Sequence, residues 1–302
     1  MALAPIALFA YRRIDHLART LDALEACPEF CQSAVTVYSD GPKSEAARGD
    51  VSAVRALLVS RRRPNMTIIE ASSNRGLANS IIAGVTEQCR RYGKVIVFED
   101  DLVVSPVALT WLNRGLDLYE RDIRVWQVGA HQFPVAEFAS RPDGMFLKLS
   151  TSWGWGTWQR AWDCFDSSAS GWQALSGNAE LSSTFDLNGS YPYTAMMEQQ
   201  VNGLVDSWAI RWWWSVFQAG GLGLFPPRSL VSNIGQDSTA THAASLLRRL
   251  IVKRPLQQVD LHLPEQPSAV EVDEYAQKAI EEFLRAQTGQ TRWKAILARL
   301  GA

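Results

Sequence analysis

Three carboxylates in a row, Glu99, Asp100 and Asp101, follow the apolar run "VIVF" at 95–98. Adjacent carboxylates repel one another and lose hydration at the rim of a core, so they stay ionised cheaply only beside a cation or in abundant solvent. A divalent ion is the simplest partner. Mg²⁺ and Mn²⁺ take few protein carboxylates and complete their shells with water and phosphate oxygens, which suits a diphosphate-bearing ligand. Alternation along an extended chain sends Glu99 and Asp101 to one side and Asp100 to the other. The plain alternative is an exposed acidic turn that binds nothing.

The elements around these residues alternate. The run 6–11 is β-branched and aromatic, and Ile14, Leu17, Leu21 and Leu24 then recur at helical spacing. Strand patterns at 34–40, 66–72, 95–100 and 124–130 are interleaved with helical patterns at 45–60, 76–92 and 106–120. Four successive strand–helix units predict an α/β fold, a mainly parallel Rossmann-like sheet with helices on both faces. Ligands of such sheets lie beyond the carboxyl ends of the strands. Those ends carry Arg12 and Arg13, then Asp40, then Asn74 and Arg75, then the acidic triple, so all four clusters are expected at one crevice. No glycine-rich dinucleotide turn follows the first strand, and no Walker lysine motif is present.

The chain has 302 residues, 47% hydrophobic and 20% charged, with a net charge of −1. That composition excludes a disordered protein and gives no global attraction to nucleic acid. The start reads as a first strand rather than a signal or anchor. Cys27, Cys31, Cys89 and Cys164 match neither a disulfide framework nor zinc knuckles and read as packed, reduced thiols of a cytosolic protein. Twelve tryptophans are the compositional outlier, many of them within 153–214. Indole suits both a core and stacking on sugar rings, and Trp153, Trp155, Trp208 and Trp212 are the stacking candidates. Past 145 the rhythm breaks, and this portion is expected to form loops and helices over the sheet edge. A tail follows: a connector at 255–267, a helix near 271–286 with Val272, Tyr275, Ala279, Ile280 and Phe283 on one face, and a last amphipathic helix through Trp293, Ile296, Leu297 and Leu300. The last helix suits either an anionic membrane surface or its own domain.

Taken in order, "LFAYRRIDHLARTL", "YSDGPK", "NRGLANSIIAGV", "VIVFEDDLVVSP", "SWGWGTWQRAWD", "DSWAIRWWW" and "SLVSNIGQDSTATH" resemble nucleotide-sugar-dependent glycosyltransferases of the GT-A fold. The likeness is to bacterial polysaccharide-building members related to N-acetylglucosaminyltransferase I, with its Glu-Asp-Asp motif, and it covers roughly 5–245. The resemblance implies Arg13 near the donor diphosphate, Asp40 and Arg75 on the donor side with Asp40 at the base, Glu99 and Asp100 at the donor with Asp100 on the ribose, and Asp101 on a divalent Mn²⁺ or Mg²⁺. It further implies Asp206 as general base and His242 at the metal or diphosphate. Relatives usually carry Asn or Asp just before the first-strand arginine, where this chain has Arg12.

Inverting transfer needs a base on the acceptor hydroxyl and help for the leaving diphosphate, but no protein nucleophile, and no Ser/His/Asp or Cys/His pattern occurs. Asp206 alternatively caps the helix that starts beside it, and Asp40 alternatively makes an ordinary turn. Arg211 suits a carboxylate or anionic partner, and His131 and His16 read as structural or solvated. The expected division is a transferase domain at 1–245, with 1–130 binding the donor and 131–245 serving the acceptor, and a helical extension at 246–302. The expected function is transfer of a sugar from a nucleotide sugar, UDP-sugar favoured, to a glycan or lipid-linked acceptor. The expected setting is bacterial surface polysaccharide assembly, in the cytoplasm with contact to the inner membrane through the last helix, and with no nucleic acid partner. A sugar nucleotidyltransferase and a non-catalytic carbohydrate-binding module are the competing readings.

Overall fold

The computed structural model describes residues 2–138, 140–235 and 269–299, with side chains through 289. The first half follows the expected alternation: β1 (Ile6–Ala10), α1 (Ile14–Glu25), β2 (Val35–Ser39), α2 (Arg48–Ser60), β3 (Met66–Glu70), α3 (Leu77–Tyr92) and β4 (Lys94–Glu99). A short β5 (Leu102–Val104) then precedes α4 (Ala108–Leu118) and β6 (Val125–Gly129). Alternate residues of the inner strands enter opposite cores. Ile6, Leu8, Ile96 and Phe98 pack with α1, α2 and α4, whereas Ala7, Phe9, Val95 and Val97 pack with α3. A strand buried on both faces reads as a near-continuous apolar run, which is why these segments are legible in the sequence.

The second half departs from its expected role as a cover. Three of its segments are strands of the main sheet: β7 (Met145–Leu147), β8 (Trp155–Trp158) and β9 (Leu222–Phe225). The eight-stranded sheet runs β3–β2–β1–β4–β8–β6–β9–β7. Strand β8 is antiparallel and wedged between β4 and β6, with Val97 opposite Trp155 and Val128 opposite Gly156. The segment "SWGWGTW" is therefore central rather than peripheral. Gly156 permits it: an added Cβ would lie 2.9 Å from Leu116 Cδ1 and 3.2 Å from the Val95 carbonyl. A second, two-stranded sheet pairs β5 with β10 (Val231–Asn233).

Between β8 and β9 lie α5 (Gln159–Trp162), α6 (Ala174–Gly177), α7 (Ala179–Phe185), α8 (Tyr193–Val201) and α9 (Trp208–Gln218). Trp155, Trp208 and Trp212 are 0%, 4% and 1% exposed and form one indole cluster under the sheet. Trp155 stacks on Trp208 at 5.1 Å, and Trp212 contacts Trp126, Trp155 and Trp162. The Trp212 Nε1–H donates to Gln127 Oε1. With both faces covered, these three rings present nothing to a sugar, so the stacking role expected of them is corrected to core packing. Trp153 alone of the four is half-buried.

The tail is one helix, α10 (Glu274–Arg299), where two were expected. Its buried stripe is Ala276, Gln277, Ile280, Glu281 and Leu284, while Tyr275 is exposed. Val272 bridges to Phe146 and Lys148 N–H donates to Gln277, so the described portion of the tail joins the sheet edge. The side chains of Trp293, Ile296, Leu297 and Leu300 lie outside the described residues. Among the described residues no helix is long and apolar enough to cross a membrane. All four cysteines are free thiols, Cys27 and Cys89 buried as expected, but Cys31 and Cys164 are exposed.

Trp212 tests the indole core. Trp212→Ala removes the ring that joins α9 to β6 and β8, and is expected to cost about 3–5 kcal/mol in a urea unfolding titration.

Candidate active site

The carboxyl ends of β1 and β4 are adjacent because the two strands pair in parallel, Phe9 opposite Glu99. The chain leaves β4 at Glu99 and turns, so strict alternation stops there and Asp100 and Asp101 fall to one arginine instead of opposite sides. Arg13 Nη2 lies 2.5 Å from Asp101 Oδ2 and 3.6 Å from Asp100 Oδ1, and Nη1 donates to the Gly235 carbonyl at 3.1 Å. The Tyr11 N–H donates to Asp100 Oδ2 at 2.9 Å. Thr20 Oγ1 donates to the Asp100 carbonyl, and the Ile234 N–H donates to that of Asp101. Glu99, half-buried, remains in the β-ladder.

This cluster is nearly dry, with Arg13 and Asp101 side chains 15% and 13% exposed. Burial pushes the Asp100 carboxyl above the usual carboxylate range; the Asp101 charge adds to the rise, and Arg13, the Tyr11 N–H and His16 oppose it. Asp101 Oδ1 is buried and has no hydrogen-bond partner among the described residues. Such an oxygen carries a desolvation cost that a cation would offset. Gly235 closes the cradle, since a Cβ there would fall 2.0 Å from Asp101 Oδ2. A hard, oxygen-only donor set with one unsatisfied lone pair fits Mg²⁺ or Mn²⁺, which require only one or two protein carboxylates. Among the described residues no three of His, Cys, Asp or Glu converge as a complete metal cage. His242 lies outside the described residues.

Asp40 does different work from that expected. Its Oδ1 accepts from Gly41 N and Arg75 N, both at 2.8 Å, and its Oδ2 accepts from Asn74 Nδ2 at 2.9 Å and Gly76 N at 3.1 Å. Each oxygen is already committed twice, so reading a nucleobase is corrected to shaping the β3–α3 loop. The loop in turn displays Arg75, whose side chain is exposed and has no ion pair among the described residues.

Asp206 lies just before α9. Because β9 runs parallel to β6 and α9 leads into it, the start of α9 faces the carboxyl edge, the side that bears Asp100 and Asp101. The cap of α9 is Ser207, whose side chain accepts from Ile210 N, so capping is not the role of Asp206. Asp206 is 56% exposed and pairs with the nearly buried Arg211 at 2.8 Å. The structure thus groups Arg13, Asp100 and Asp101 in one cluster, sets Asp40 and Arg75 on the neighbouring loop, and puts Asp206 along the same edge.

Sequence reasoning places 229–235 among the acceptor-side loops and misses that it straps the acidic cluster. Through β10 it crosses from β6 to Arg13: Leu230 N donates to the Ala130 carbonyl, Ser105 N donates to that of Leu230, and His16 Nε2 lies 3.2 Å from that of Ile234. Its sequence, "SLVSNIG", is too short and polar for a clear strand pattern. His131, which reads from sequence as structural or solvated, is 7% exposed at the end of β6. It lies edge-on to Trp153 at 4.6 Å and to Phe133 at 5.3 Å, and burial pushes its pKa down from 6.5 to about 3.

Known structures overlap this fold in part. The mannosyltransferase PcManGT from Pyrobaculum calidifontis, solved with GDP-Man and Mn²⁺, superposes with a TM-score of 0.35 at 16% identity, over 51% of this chain and 44% of its own. The chain therefore spans less than half the length of that enzyme. The galactosyltransferase LgtC, in complex with donor and acceptor sugar analogs, gives 0.37 at 13% identity over 73% of each chain. An active-site mutant of LgtC gives 0.31 at 16% identity, over 53% of this chain and 60% of its own. No protein-family model matches the chain, and no curated protein matches it by sequence. Overlaps this loose leave the chemistry of the crevice to be argued from its own residues.

Two outcomes follow from this geometry. Asp40→Ala removes the acceptor of four hydrogen bonds, three of them from backbone amides, and is expected to cost roughly 3 kcal/mol, with the Arg75 and Gly76 amides losing protection in hydrogen exchange. For His131, the folded protein favours the neutral ring while the unfolded chain takes up a proton as pH falls through 6.5. Its contribution is therefore present above that pH and lost below it. Wild type is expected to lose stability relative to His131→Phe by up to about 1.4 kcal/mol per pH unit below 6.5, read from urea titrations at stepped pH.

Proposed function

We propose that the protein is a divalent-metal-dependent glycosyltransferase that moves a sugar from a nucleotide-sugar donor, UDP-sugar favoured, to a glycan or lipid-linked saccharide, with inversion. The observation that carries this reading is the buried Asp101 Oδ1, unpartnered among the described residues, beside Arg13 at the carboxyl ends of the central strands. That is where an α/β sheet takes its ligand, and a carboxylate with a guanidinium is suited to a diphosphate.

Asp101, with Asp100 behind it, would hold Mn²⁺ or Mg²⁺, and His242 is the further ligand available from the sequence. When bound, the ion would supply positive charge to the departing diphosphate. Arg13 sits where it would exchange its carboxylate partner for a phosphate oxygen, and Arg75 offers a second guanidinium from the neighbouring loop. Asp100, anchored by the Tyr11 N–H, fixes the β1–β4 junction on which a donor ribose would rest. Asp206 would take the acceptor hydroxyl's proton; its exposure keeps it open to an acceptor, and Arg211 orients it. Such a base contributes on the order of 10²–10⁴-fold.

The polymer served is proposed from the sequence resemblance: bacterial surface polysaccharide. A membrane-peripheral setting rests on the amphipathic pattern at 291–300 alone.

The test is donor turnover. Purified protein with Mn²⁺ is expected to release nucleoside diphosphate slowly from one nucleotide sugar, and Asp101→Ala is expected to reduce that release by roughly 100-fold or more. Pyrophosphate released from a nucleoside triphosphate would identify a nucleotidyltransferase instead. No turnover of either kind, with Mn²⁺ uptake unchanged in Asp101→Ala, would reject the metal-dependent transferase.

A further inference from the structure

The aromatic corner where β6 ends and β8 begins is built around a histidine that the roles above do not use. His131 keeps only 7% of its surface. Ser229 Oγ lies 3.3 Å from its Nδ1 and donates its own proton to the Val231 carbonyl at 2.7 Å. With that proton committed, the imidazole must donate, so Nδ1 carries the hydrogen and Nε2 is a bare lone pair. No partner for Nε2 occurs among the described residues. The rings of Trp153 and Phe133 meet the imidazole edge-on, at 66° and 75°, and both are half-buried, so the corner is partly open.

We propose that this corner is the subsite for the acceptor sugar ring, with Trp153 and Phe133 as its apolar walls and His131 Nε2 as the hydrogen-bond acceptor for a ring hydroxyl. The inference rests on the glycosyltransferase reading and adds His131 and Phe133, which that reading leaves unassigned, to the stacking candidate Trp153. Indole and phenyl faces suit the C–H face of a pyranose. A bare imidazole nitrogen needs a donor such as O–H, and repels phosphate and carboxylate oxygens. Burial, which holds the ring's pKa near 3, keeps that lone pair available throughout the physiological range.

Position supports the same occupant. The strap links this corner to the acidic cluster: Leu230 N donates to the Ala130 carbonyl, next to His131, and Ile234 N donates to the Asp101 carbonyl. Four extended residues separate those two bonds, about 13 Å. A diphosphate and one sugar ring fit between them, which leaves the acceptor at the His131 end.

The test uses the full-length protein labelled with ¹⁵N-histidine, whose four imidazoles are assigned with the His131→Phe variant. Galactose, glucose, N-acetylglucosamine and lactose are titrated in, with and without Mn²⁺ plus UDP or GDP. At least one sugar is expected to shift the Nε2 resonance of His131 in the wild type while Nδ1 stays protonated. If none moves the His131 imidazole in either condition, the subsite is rejected. In parallel, His131→Phe is expected to lower transfer to whichever sugar the wild type glycosylates by about tenfold and to be rescued in part by His131→Gln. Transfer by His131→Phe at the wild-type rate would also overturn the proposal. Absence of wild-type donor turnover would reject the transferase instead, and the imidazole titration would still decide whether the corner binds sugar.

Discussion

The buried pairing of Arg13 with Asp100 and Asp101 is the constraint around which the crevice is organised. It joins the ends of β1 and β4, the two neighbouring central strands, and recruits the strap through the Gly235 carbonyl. Two carboxylates this poorly hydrated repel each other, and the guanidinium offsets part of that repulsion. The guanidinium satisfies one oxygen of Asp101, and the other has no partner among the described residues. That imbalance costs stability, and a further positive charge there would offset it, which is the property on which the proposed metal and diphosphate roles rest.

The rest of the fold holds these groups steady. Both faces of the inner strands are covered, so β1 and β4 cannot shift relative to each other without disturbing two cores at once. Close-packed interiors resist such movement. The antiparallel β8 locks β4 to β6 from the other side, and the indole cluster of Trp155, Trp208 and Trp212 fastens α9 beneath them, setting Asp206 on the carboxyl edge. The tryptophans thus act on the site by position rather than by contact. Asp40 does the same on the opposite flank, spending its whole carboxylate on one loop.

The α/β alternation, the parallel half of the sheet and the meeting of Arg13 with the acidic triple at one edge are legible in the sequence, because each depends on local periodicity and on the rule that strand ends share one crevice, but periodicity sets Asp100 and Asp101 on opposite sides, an arrangement that the turn after β4 overrides. The chain pattern has a wider limit as well, for it does not carry what packs against what. It did not determine that "SWGWGTW" is a central strand, that Trp155, Trp208 and Trp212 are core, or that Asp40 is fully engaged. Burial is a property of what lies opposite a residue, and those partners are distant in the chain: Val95 and Leu116 for Gly156, Gln127 for Trp212. An indole or a carboxylate has the same chemistry in a core as in a binding site. The tertiary packing settles which hydrogen bonds and faces are already taken; among the described residues it leaves Asp101 Oδ1 and His131 Nε2 without partners, Trp153 half-buried, and Asp206 exposed beside Arg211.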